Sequence, residues 1–302
     1  MNTVIETNDL DFSFASGNKI LSNLNLNVPK GSIYCFLGPN GAGKTTTIRL
    51  LLRLLEAKAG KILIFGQDLQ VNRISILRRI GSLIEQPSLY SHLSGNENLE
   101  VSCMSYQCER RRIKEVLGIA GLYEARNKPV GAYSLGMKQR LGIALTLLHS
   151  PELLILDEPT NGLDPQGIIE TRELLIRLNR EEGKTIFVSS HLLSEAERVA
   201  THIGIIHQGR VRFQGTHDAL REMRADQSFF EIEIDDPNGA ILHLKDTYRV
   251  SKKDDSTIRL AGLSKEAGAH VIESLVQQNI RVFNAGFSRH NLEDLFMNII
   301  KL

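Results

Sequence analysis

The residues with the clearest chemistry form a glycine-rich loop near the start of the chain. The segment from Gly38 to Thr45 reads GPNGAGKT and fits the pattern G-x-x-x-x-G-K-[ST] between an apolar strand and an apolar helix. Backbone N–H groups of such a loop, with the helix N-terminus behind it, can surround a polyphosphate. Lys44 would neutralise the outer phosphates, and the Thr45 hydroxyl would be one ligand of Mg²⁺. The predicted nucleotide-binding residues of this loop are Gly38, Pro39, Asn40, Gly41, Ala42, Gly43, Lys44, Thr45 and Thr46.

An acidic pair follows an apolar strand in the middle of the chain. Asp157 and Glu158 come directly after the segment LLIL, which predicts that both carboxylates lie at the carboxyl end of a buried strand. Ligands of open α/β sheets bind at that end. Asp157 would hold Mg²⁺ through water, and Glu158 would polarise or orient the water that attacks a terminal phosphate. A solvated acidic pair on the surface is the alternative, which the preceding apolar strand disfavours.

The overall composition is that of an ordinary globular protein. The 302 residues include 36 Lys and Arg against 35 Asp and Glu, and 42% of them are hydrophobic. This balance gives no basic surplus that would draw in a nucleic acid, so we predict no such partner. The apolar runs are far shorter than the ~20 residues of a membrane helix, and the first residues are polar rather than signal-like. We therefore expect a cytosolic chain.

Three cysteines occur in the sequence: Cys35, Cys103 and Cys108. Their number and spacing form no disulfide framework, and the Cys103 and Cys108 pair lacks the further ligands that a zinc site needs. We interpret all three as reduced thiols.

Strand and helix patterns alternate along the first part of the chain. A strand from Ser32 to Leu37 precedes the glycine loop, a helix pattern covers Ser134 to Leu148, and a further helix from about Gln166 to Asn179 precedes the strand TIFVSS. This alternation predicts an α/β fold with a mainly parallel sheet. A polar, mostly helical stretch from about Ser91 to Tyr133 predicts an inserted helical subdomain, with bounds of about 87–135.

The pattern changes beyond about Arg224. The segment FFEIEID alternates apolar and polar residues, a hairpin pattern covers Tyr248 to Ala261, and helix patterns follow near Lys265 to Gln278 and behind Asn291. We therefore predict two domains, 1–222 and a small α+β domain over 223–302.

The ordered motifs of the first 220 residues or so resemble the ATP-binding subunits of ABC transporters. The resemblance implies a P-loop NTPase fold of the ABC ATPase type, with ATP hydrolysis that uses Mg²⁺. It also implies a head-to-tail homodimer that encloses two ATP molecules and drives a separately encoded membrane permease. The location that follows is cytoplasmic and peripheral, on the inner face of the cell membrane.

The same resemblance assigns a signature segment to the residues YSLGM, where the family usually has LSGGQ. Its members here are Ser134, Leu135, Gly136 and Met137. They would contact the γ-phosphate held on the opposing subunit, helped by the helix N-terminus. A serine before a helix is also a common cap, which is the alternative for Ser134.

Three further positions match family motifs. Glu85 stands where the family's Q-loop usually has glutamine, and a carboxylate there could ligate Mg²⁺; Gln86 is the alternative residue for this role. His191 after the strand TIFVSS matches the switch histidine that contacts the γ-phosphate and the attacking water. Asp164 resembles the D-loop residue that links the two active sites of a dimer.

Phe14 stands where the family stacks an aromatic ring on adenine. Because Phe12 is close by, an ordinary core phenylalanine is the alternative for this position.

Three phrases narrow the resemblance: LIEQPSLY, YSLGMKQRL and the C-terminal NLEDLFMNI resemble the bacterial group that exports bacitracin, lantibiotics and similar drugs. Two other classes of protein are the alternatives. A soluble ABC ATPase acting on ribosomes or DNA usually carries two cassettes or a long coiled coil, and a regulatory subunit that does not hydrolyse ATP would not need Glu158 and His191.

Overall fold

The computed structural model describes residues 3–14, 17–220 and 229–288. The chain divides into two units, Met1–His217 and Asp218–Leu302. The first unit carries every predicted site residue. The bounds of its strands are β1 Thr3–Ser13, β2 Lys19–Pro29, β3 Ile33–Leu37, β4 Ala59–Ile64, β5 Gln67–Asp68, β6 Ile80–Leu83, β7 Leu153–Asp157, β8 Thr185–Ser190, β9 His202–His207 and β10 Arg210–Thr216. Its helices are α1 Lys44–Leu51, α2 Arg73–Leu77, α3 Gly95–Tyr106, α4 Arg111–Ile119, α5 Leu135–Leu147, α6 Pro165–Arg180 and α7 Leu193–Val199, with a 3-10 turn at Val130–Ala132.

A six-stranded sheet forms the centre of the first unit, in the order β10-β9-β3-β8-β7-β6. All neighbours are parallel except β10, which runs antiparallel to β9. Helices α1, α5, α6 and α7 pack against its strands. Because helices cover such a sheet, its inner strands are largely apolar, and Leu153 to Leu156 of β7 are fully buried. The predicted α/β class is confirmed, and the predicted mainly parallel sheet is the central sheet of the first unit.

A second sheet of the first unit is antiparallel and has the order β2-β1-β4-β5. Its buried residues, among them Leu10 and Leu24, share one apolar cluster with Ile48 of α1 and Phe187 of β8. This cluster therefore packs α1, the helix that follows the glycine loop, against both sheets.

Between β6 and β7 the chain forms α3, α4, the 3-10 turn and α5, with one isolated β-bridge between Ser94 and Pro129. Helix α3 begins with a capping box in which the Ser94 hydroxyl and the Glu97 carboxylate each accept a hydrogen bond from the other's backbone N–H. Helix α5 begins at Leu135, one residue after its cap Ser134.

The second unit has a four-stranded antiparallel sheet and two helices. Its elements are β11 Phe229–Ile234, α8 Pro237–Leu244, β12 Val250–Lys252, β13 Thr257–Ala261, α9 Lys265–Gln277 and β14 Val282–Ser288. The strand order is β12-β13-β11-β14. Phe230, Ile232 and Ile234 alternate with Glu231 and Glu233, so that one face of β11 enters the apolar core of this unit. The helix predicted behind Asn291 lies outside the described residues.

The interpretation of all three cysteines as reduced thiols is wrong for two of them. Cys103 and Cys108 form a disulfide, with their Cα atoms 5.1 Å apart. Helix α3 ends at Tyr106, and Gln107 takes a left-handed conformation (φ 54°) that turns the chain back toward Cys103. Spacing alone does not reveal that turn. Cys35 is free and buried, and its burial raises the pKa of the thiol to about 12.

Within the described ranges no helix is both long and apolar enough to cross a lipid bilayer.

Replacing Phe187 with Ala should destabilise the first unit. The ring is fully buried and lies 5.7 Å from the Tyr34 ring and 5.4 Å from the Phe36 ring. Removing it leaves a cavity in the central sheet, so we expect a loss of about 3–5 kcal/mol in the free energy of unfolding. Urea unfolding followed by circular dichroism measures this loss.

Val71→Ala is the control, because Val71 is 79% exposed and should change the free energy by less than about 0.5 kcal/mol. Equal shifts in the two variants would contradict the packing argument.

Candidate functional site

The glycine loop lies between β3 and α1, and its shape depends on glycines that cannot be replaced. A Cβ on Gly38 would lie 2.5 Å from the backbone oxygen of Ile206 on β9. Gly41 and Gly43 have φ angles of 80° and 112°, which L side chains rarely adopt. Gly43 also lacks a side chain to cap α1, so the first N–H groups of that helix remain for an anion.

Lys44 is the first residue of α1, and its side chain folds back over the loop. The ammonium group donates hydrogen bonds to the backbone oxygens of Gly38 at 2.8 Å and Pro39 at 3.3 Å. It also lies 3.1 Å from Glu158 Oε1 in an ion pair, and the Lys44 side chain is only 5% exposed. The loop carbonyls and Glu158 together compensate this buried positive charge.

His191 completes a cluster of three residues with Lys44 and Glu158. The second carboxylate oxygen of Glu158, Oε2, lies 2.8 Å from His191 Nδ1. An ionised carboxylate can only accept, so Nδ1 carries the proton of this hydrogen bond. The structure thus joins residues from the start of α1, the end of β7 and the end of β8, all of which the sequence identifies as site residues.

Ser189 is a member of the site that the sequence analysis missed. Its hydroxyl donates a hydrogen bond to Asp157 Oδ1 and accepts one from the Glu158 N–H at 2.9 Å. Both Asp157 and Ser189 are buried. The feature of the sequence that points to Ser189 is a small polar residue near the end of the mostly apolar strand TIFVSS. Ser189 therefore fixes the backbone and the side chain of the acidic pair.

Glu158 has a left-handed backbone, with φ 46°. For a residue other than glycine this conformation costs about 1–3 kcal/mol and persists only where the surroundings determine it. Here the hydrogen bond from its N–H to Ser189 and the ion pair to Lys44 hold it. With this backbone, the carboxylate of Glu158 faces Lys44 at the end of the glycine loop.

Two opposing effects act on the pKa of Glu158. Partial burial raises the pKa, but the hydrogen bond and charge of Lys44, followed by those of His191, outweigh it and place the pKa below its ordinary value. The carboxylate is therefore ionised at neutral pH and can accept a hydrogen bond from water.

The donors near the loop suit a magnesium ion that is held mainly by phosphates. Thr45 is half-buried on the first turn of α1, and Asp157 is buried at the end of β7. In the described part of the chain no cluster of three or more acidic, His or Cys side chains could hold a metal by itself. Mg²⁺ commonly uses only one or two protein ligands together with phosphates and water, so this sparse set fits the ion.

Glu85, the third predicted magnesium ligand, has another partner in the structure. Its carboxylate lies 2.8 Å from Arg49 Nη2 of α1, and its side chain is 68% exposed. Glu85 has a left-handed backbone with φ 62°, and Gln86 next to it is exposed. The ion pair ties the segment after β6 to the helix that begins at the glycine loop.

Phe14 and Phe12 have different environments. The Phe12 ring is 6% exposed and belongs to the core, whereas Phe14 is 42% exposed and packs edge-on against Phe12 at 5.0 Å. The alternative for Phe14, an ordinary core phenylalanine, does not match its exposure. The Phe14 ring keeps a surface on which a planar base could stack.

Ser134 and Asp164 each cap a helix. The Ser134 hydroxyl accepts a hydrogen bond from the Met137 N–H at 3.2 Å, and Asp164 Oδ1 accepts one from the Gly167 N–H at 3.2 Å. The capped ends of α5 and α6 are close together, because a Cβ on Gly136 would lie 3.4 Å from the Cα of Gly167. Leu135 is 42% exposed beside this contact.

Replacing Lys44 with Met should raise the pKa of Glu158, because the partner that most strongly lowers that pKa is removed while the burial that raises it remains. In the wild type the ionised carboxylate contributes stability that is lost as the pH falls through its lowered pKa. NMR titration of labelled glutamate side chains measures the pKa directly.

Arg79→Met is the matched control. The hydrogen bond from the Arg79 guanidinium is the main cause that lowers the pKa of Glu152. This variant should therefore raise the pKa of Glu152 and leave the pKa of Glu158 unchanged. A Glu158 titration in Lys44→Met that coincides with the wild type would contradict the assignment.

Comparisons with known proteins place this chain in a family. A family model described as "ABC transporter" matches residues 21–161. The bacitracin transport ATP-binding protein BcrA of Bacillus licheniformis is 44% identical over 99% of this chain and 98% of its own length. The lantibiotic transport ATP-binding protein SrtF of Streptococcus pyogenes is 45% identical over 70% of this chain and 92% of its own length.

Solved structures agree with the fold. CbiO1 from Clostridium perfringens, part of the ABC transporter complex cbiONQ, has a TM-score of 0.68 at 26% identity and covers 74% of this chain and 96% of its own. A dimeric ATP-binding cassette, MJ0796, with bound ADP and Pi has a TM-score of 0.62 at 26% identity and covers 70% of this chain and 98% of its own. The predicted ABC ATPase fold is confirmed. The chain therefore belongs to the ABC transporter family, as an ATP-binding subunit that hydrolyses ATP.

Proposed function

We propose that this chain powers the export of an antimicrobial peptide or similar drug through a separate membrane permease, in resistance or immunity of the bacitracin or lantibiotic type. The observation that carries the ATPase part is the cluster of Lys44, Glu158 and His191. The similarity to BcrA along the whole chain supports the export part. The chain would act on the cytoplasmic face of the membrane, beside the permease.

The glycine loop and Lys44 bind the phosphates in this proposal. Because Lys44 already lies 3.1 Å from Glu158 Oε1, arriving phosphates compete for the same ammonium group. The ammonium then turns to the phosphates, and Oε1 is released to accept a hydrogen bond from the attacking water. Mg²⁺, held by Thr45 and Asp157, would neutralise charge on the phosphates.

His191 then orients the other side of the reaction. Its Nδ1 donates to Glu158 Oε2, so Nε2 is the ring nitrogen left. In the neutral ring Nε2 can accept a hydrogen bond from the water, and in the doubly protonated ring it can donate one to the γ-phosphate. Water attack forms a new P–O bond while the bond to the bridging oxygen breaks and ADP leaves. Glu158 contributes by positioning the water and by accepting its proton.

The remaining predicted residues act around this centre. Phe14 stacks on the base, and Glu85 or Gln86 reports the nucleotide state to the permease. In a head-to-tail homodimer, the segment Ser134, Leu135, Gly136 and Met137 of one subunit contacts the γ-phosphate held by the other. Asp164 links the two sites. The exposed side chain of Leu135 and the capped N-terminus of α5 support such a contact.

Replacing Glu158 with Gln should leave ATP binding intact and abolish turnover, because the amide keeps the shape but no longer accepts the proton of water. We expect ATP affinity within about threefold of wild type and a kcat lower by about 10²-fold or more. A filter-binding assay measures affinity, and phosphate release measures kcat.

Coexpression with a candidate permease in a bacitracin-sensitive or lantibiotic-sensitive strain tests the export part. Wild type should raise the tolerated drug concentration, and Glu158→Gln should not. ATP turnover retained in Glu158→Gln would contradict the mechanism. Normal ATP turnover of the wild type without any gain in drug tolerance would contradict the proposed transported compound.

A groove beside α2 supports the permease as partner. It has a cavity volume of about 880 Å³ and is lined by both apolar and basic side chains, among them Leu54, Ile74, Tyr106 and Arg78. Both Leu54, which is 59% exposed, and Ile74, which is 70% exposed, line the groove, and a shared exposed apolar lining of this kind marks protein–protein contact sites. An apolar segment of the permease with an acidic residue would match this lining.

Ile74→Asp should weaken binding of the permease because it places a charge in the apolar part of this groove. We expect recovery of the permease with the tagged chain to fall about tenfold, with ATP affinity unchanged. Quantitative co-purification from detergent-solubilised membranes measures the recovery. Val276→Asp, at a residue of the second unit that is 57% exposed, is the control. Equal recovery with both variants would contradict docking at the groove.

A further inference from the structure

A hydrogen bond away from the reacting groups joins the two loops that carry Glu158 and His191. The Thr160 hydroxyl donates to Glu195 Oε2 at 2.5 Å, in a partly buried position. Thr160 follows Glu158 by two residues on the loop before α6, and Glu195 lies in the first turn of α7, four residues after His191. We propose that Glu195 is a positioning residue, which acts through Thr160 to hold the Glu158 loop and the His191 loop at a fixed separation.

This inference rests on the proposed roles of Glu158 and His191, whose own hydrogen bond joins two groups that also act on the water and the γ-phosphate. Both side chains are partly exposed, at 21% and 35%. The Thr160 and Glu195 pair contains no reacting group, so it adds a second link between the two segments that is separate from the reaction.

Two hydrogen-bonded turns hold Thr160 in place within the loop after β7. The Asn161 N–H donates to the Glu158 carbonyl at 3.1 Å, and the Leu163 N–H donates to the Thr160 carbonyl at 3.2 Å. These two turns connect Thr160 to Glu158 on one side and to Asp164, the cap of α6, on the other. A displacement of Thr160 would therefore move the catalytic carboxylate.

The loop after β8 is also short and tied. The Leu192 N–H donates to Ser190 Oγ at 3.0 Å, so the two neighbours of His191 are bonded to each other. Buried Leu193 and Ala196 anchor α7 against the core on either side of Glu195. Glu195 is thus fixed to the element that presents the histidine.

The surroundings of the pair strengthen the hydrogen bond. A cavity of about 40 Å³, with buried apolar walls that include Cys35, Val188 and Ala196, adjoins both Thr160 and Glu195. In such a setting of low polarity, a hydrogen bond to a carboxylate is stronger and its geometry is better defined than in water. The bond therefore adds a link between the two loops beyond the Ser189 hydrogen bonds at their base.

Isosteric replacement of Thr160 by Val tests the proposal in the full chain. The variant removes the hydroxyl and keeps the volume, so we expect kcat for ATP to fall about tenfold with the KM and the ATP affinity within about twofold. Thr160→Ser keeps the hydroxyl and should restore most of kcat. Glu195→Ala should match Thr160→Val, and the double variant should be no slower than the slower single variant.

Thr171→Val is the matched control, because it makes the same chemical change at a fully buried threonine of α6 whose hydroxyl has no hydrogen-bond partner in the described structure. It should keep wild-type kcat. A kcat within twofold of wild type in Thr160→Val and Glu195→Ala would overturn the proposal, as would losses that add in the double variant. Glu158→Gln in the same assay tests the proposed mechanism separately, since its turnover does not depend on the outcome for Thr160.

Discussion

The contact on which the rest of the first unit depends is the ion pair between the Lys44 ammonium and the Glu158 carboxylate. A lysine that is 5% exposed is tolerated only where negative charge and hydrogen-bond acceptors surround it. The chain meets this requirement with two carbonyls of the glycine loop and one carboxylate from another strand. The bend of the loop, the left-handed backbone of Glu158 and the hydrogen bonds of Ser189 all serve to bring these groups to one point.

The strand order explains why the site contains residues from β8. This strand lies between β3, which leads into the glycine loop, and β7, which ends at the acidic pair. The carboxyl end of β8 therefore touches both neighbours: Ser189 bonds to Asp157, and the Gly38 N–H donates to the Ser190 carbonyl at 3.4 Å. His191 follows at once, so a histidine at this place reaches the reacting groups without a long loop.

The sequence allowed the site to be predicted where spacing along the chain determines geometry. The glycine loop and the acidic pair are local patterns, and the alternation of strands and helices predicts a parallel sheet whose carboxyl ends converge. Bonds between distant segments could not be predicted in this way. Arg49 and Glu85 are 36 residues apart, and Thr160 and Glu195 are 35 apart, so only the assembled sheet brings each pair together.

Spacing along the chain also did not predict the disulfide. The disulfide between Cys103 and Cys108 depends on one left-handed residue at the end of α3, and a glutamine at that position gives no sign of the turn. The fold class followed from patterns that are repeated over many residues, whereas this turn is set by a single backbone angle.

The close approach of Gly136 and Gly167 has a consequence for timing. The two helix ends that they join carry Ser134 and, through the loop behind Asp164, Glu158. With no side chain between them, the backbones of α5 and α6 approach closely at this point, and a larger residue at Gly136 would press on the Gly167 Cα. In the proposed dimer, the Glu158 of a subunit serves its own ATP and its Ser134 serves the ATP of the neighbour. The glycine contact would then couple the two nucleotide sites through each subunit. Hydrolysis at one site would change how tightly ATP is bound at the other.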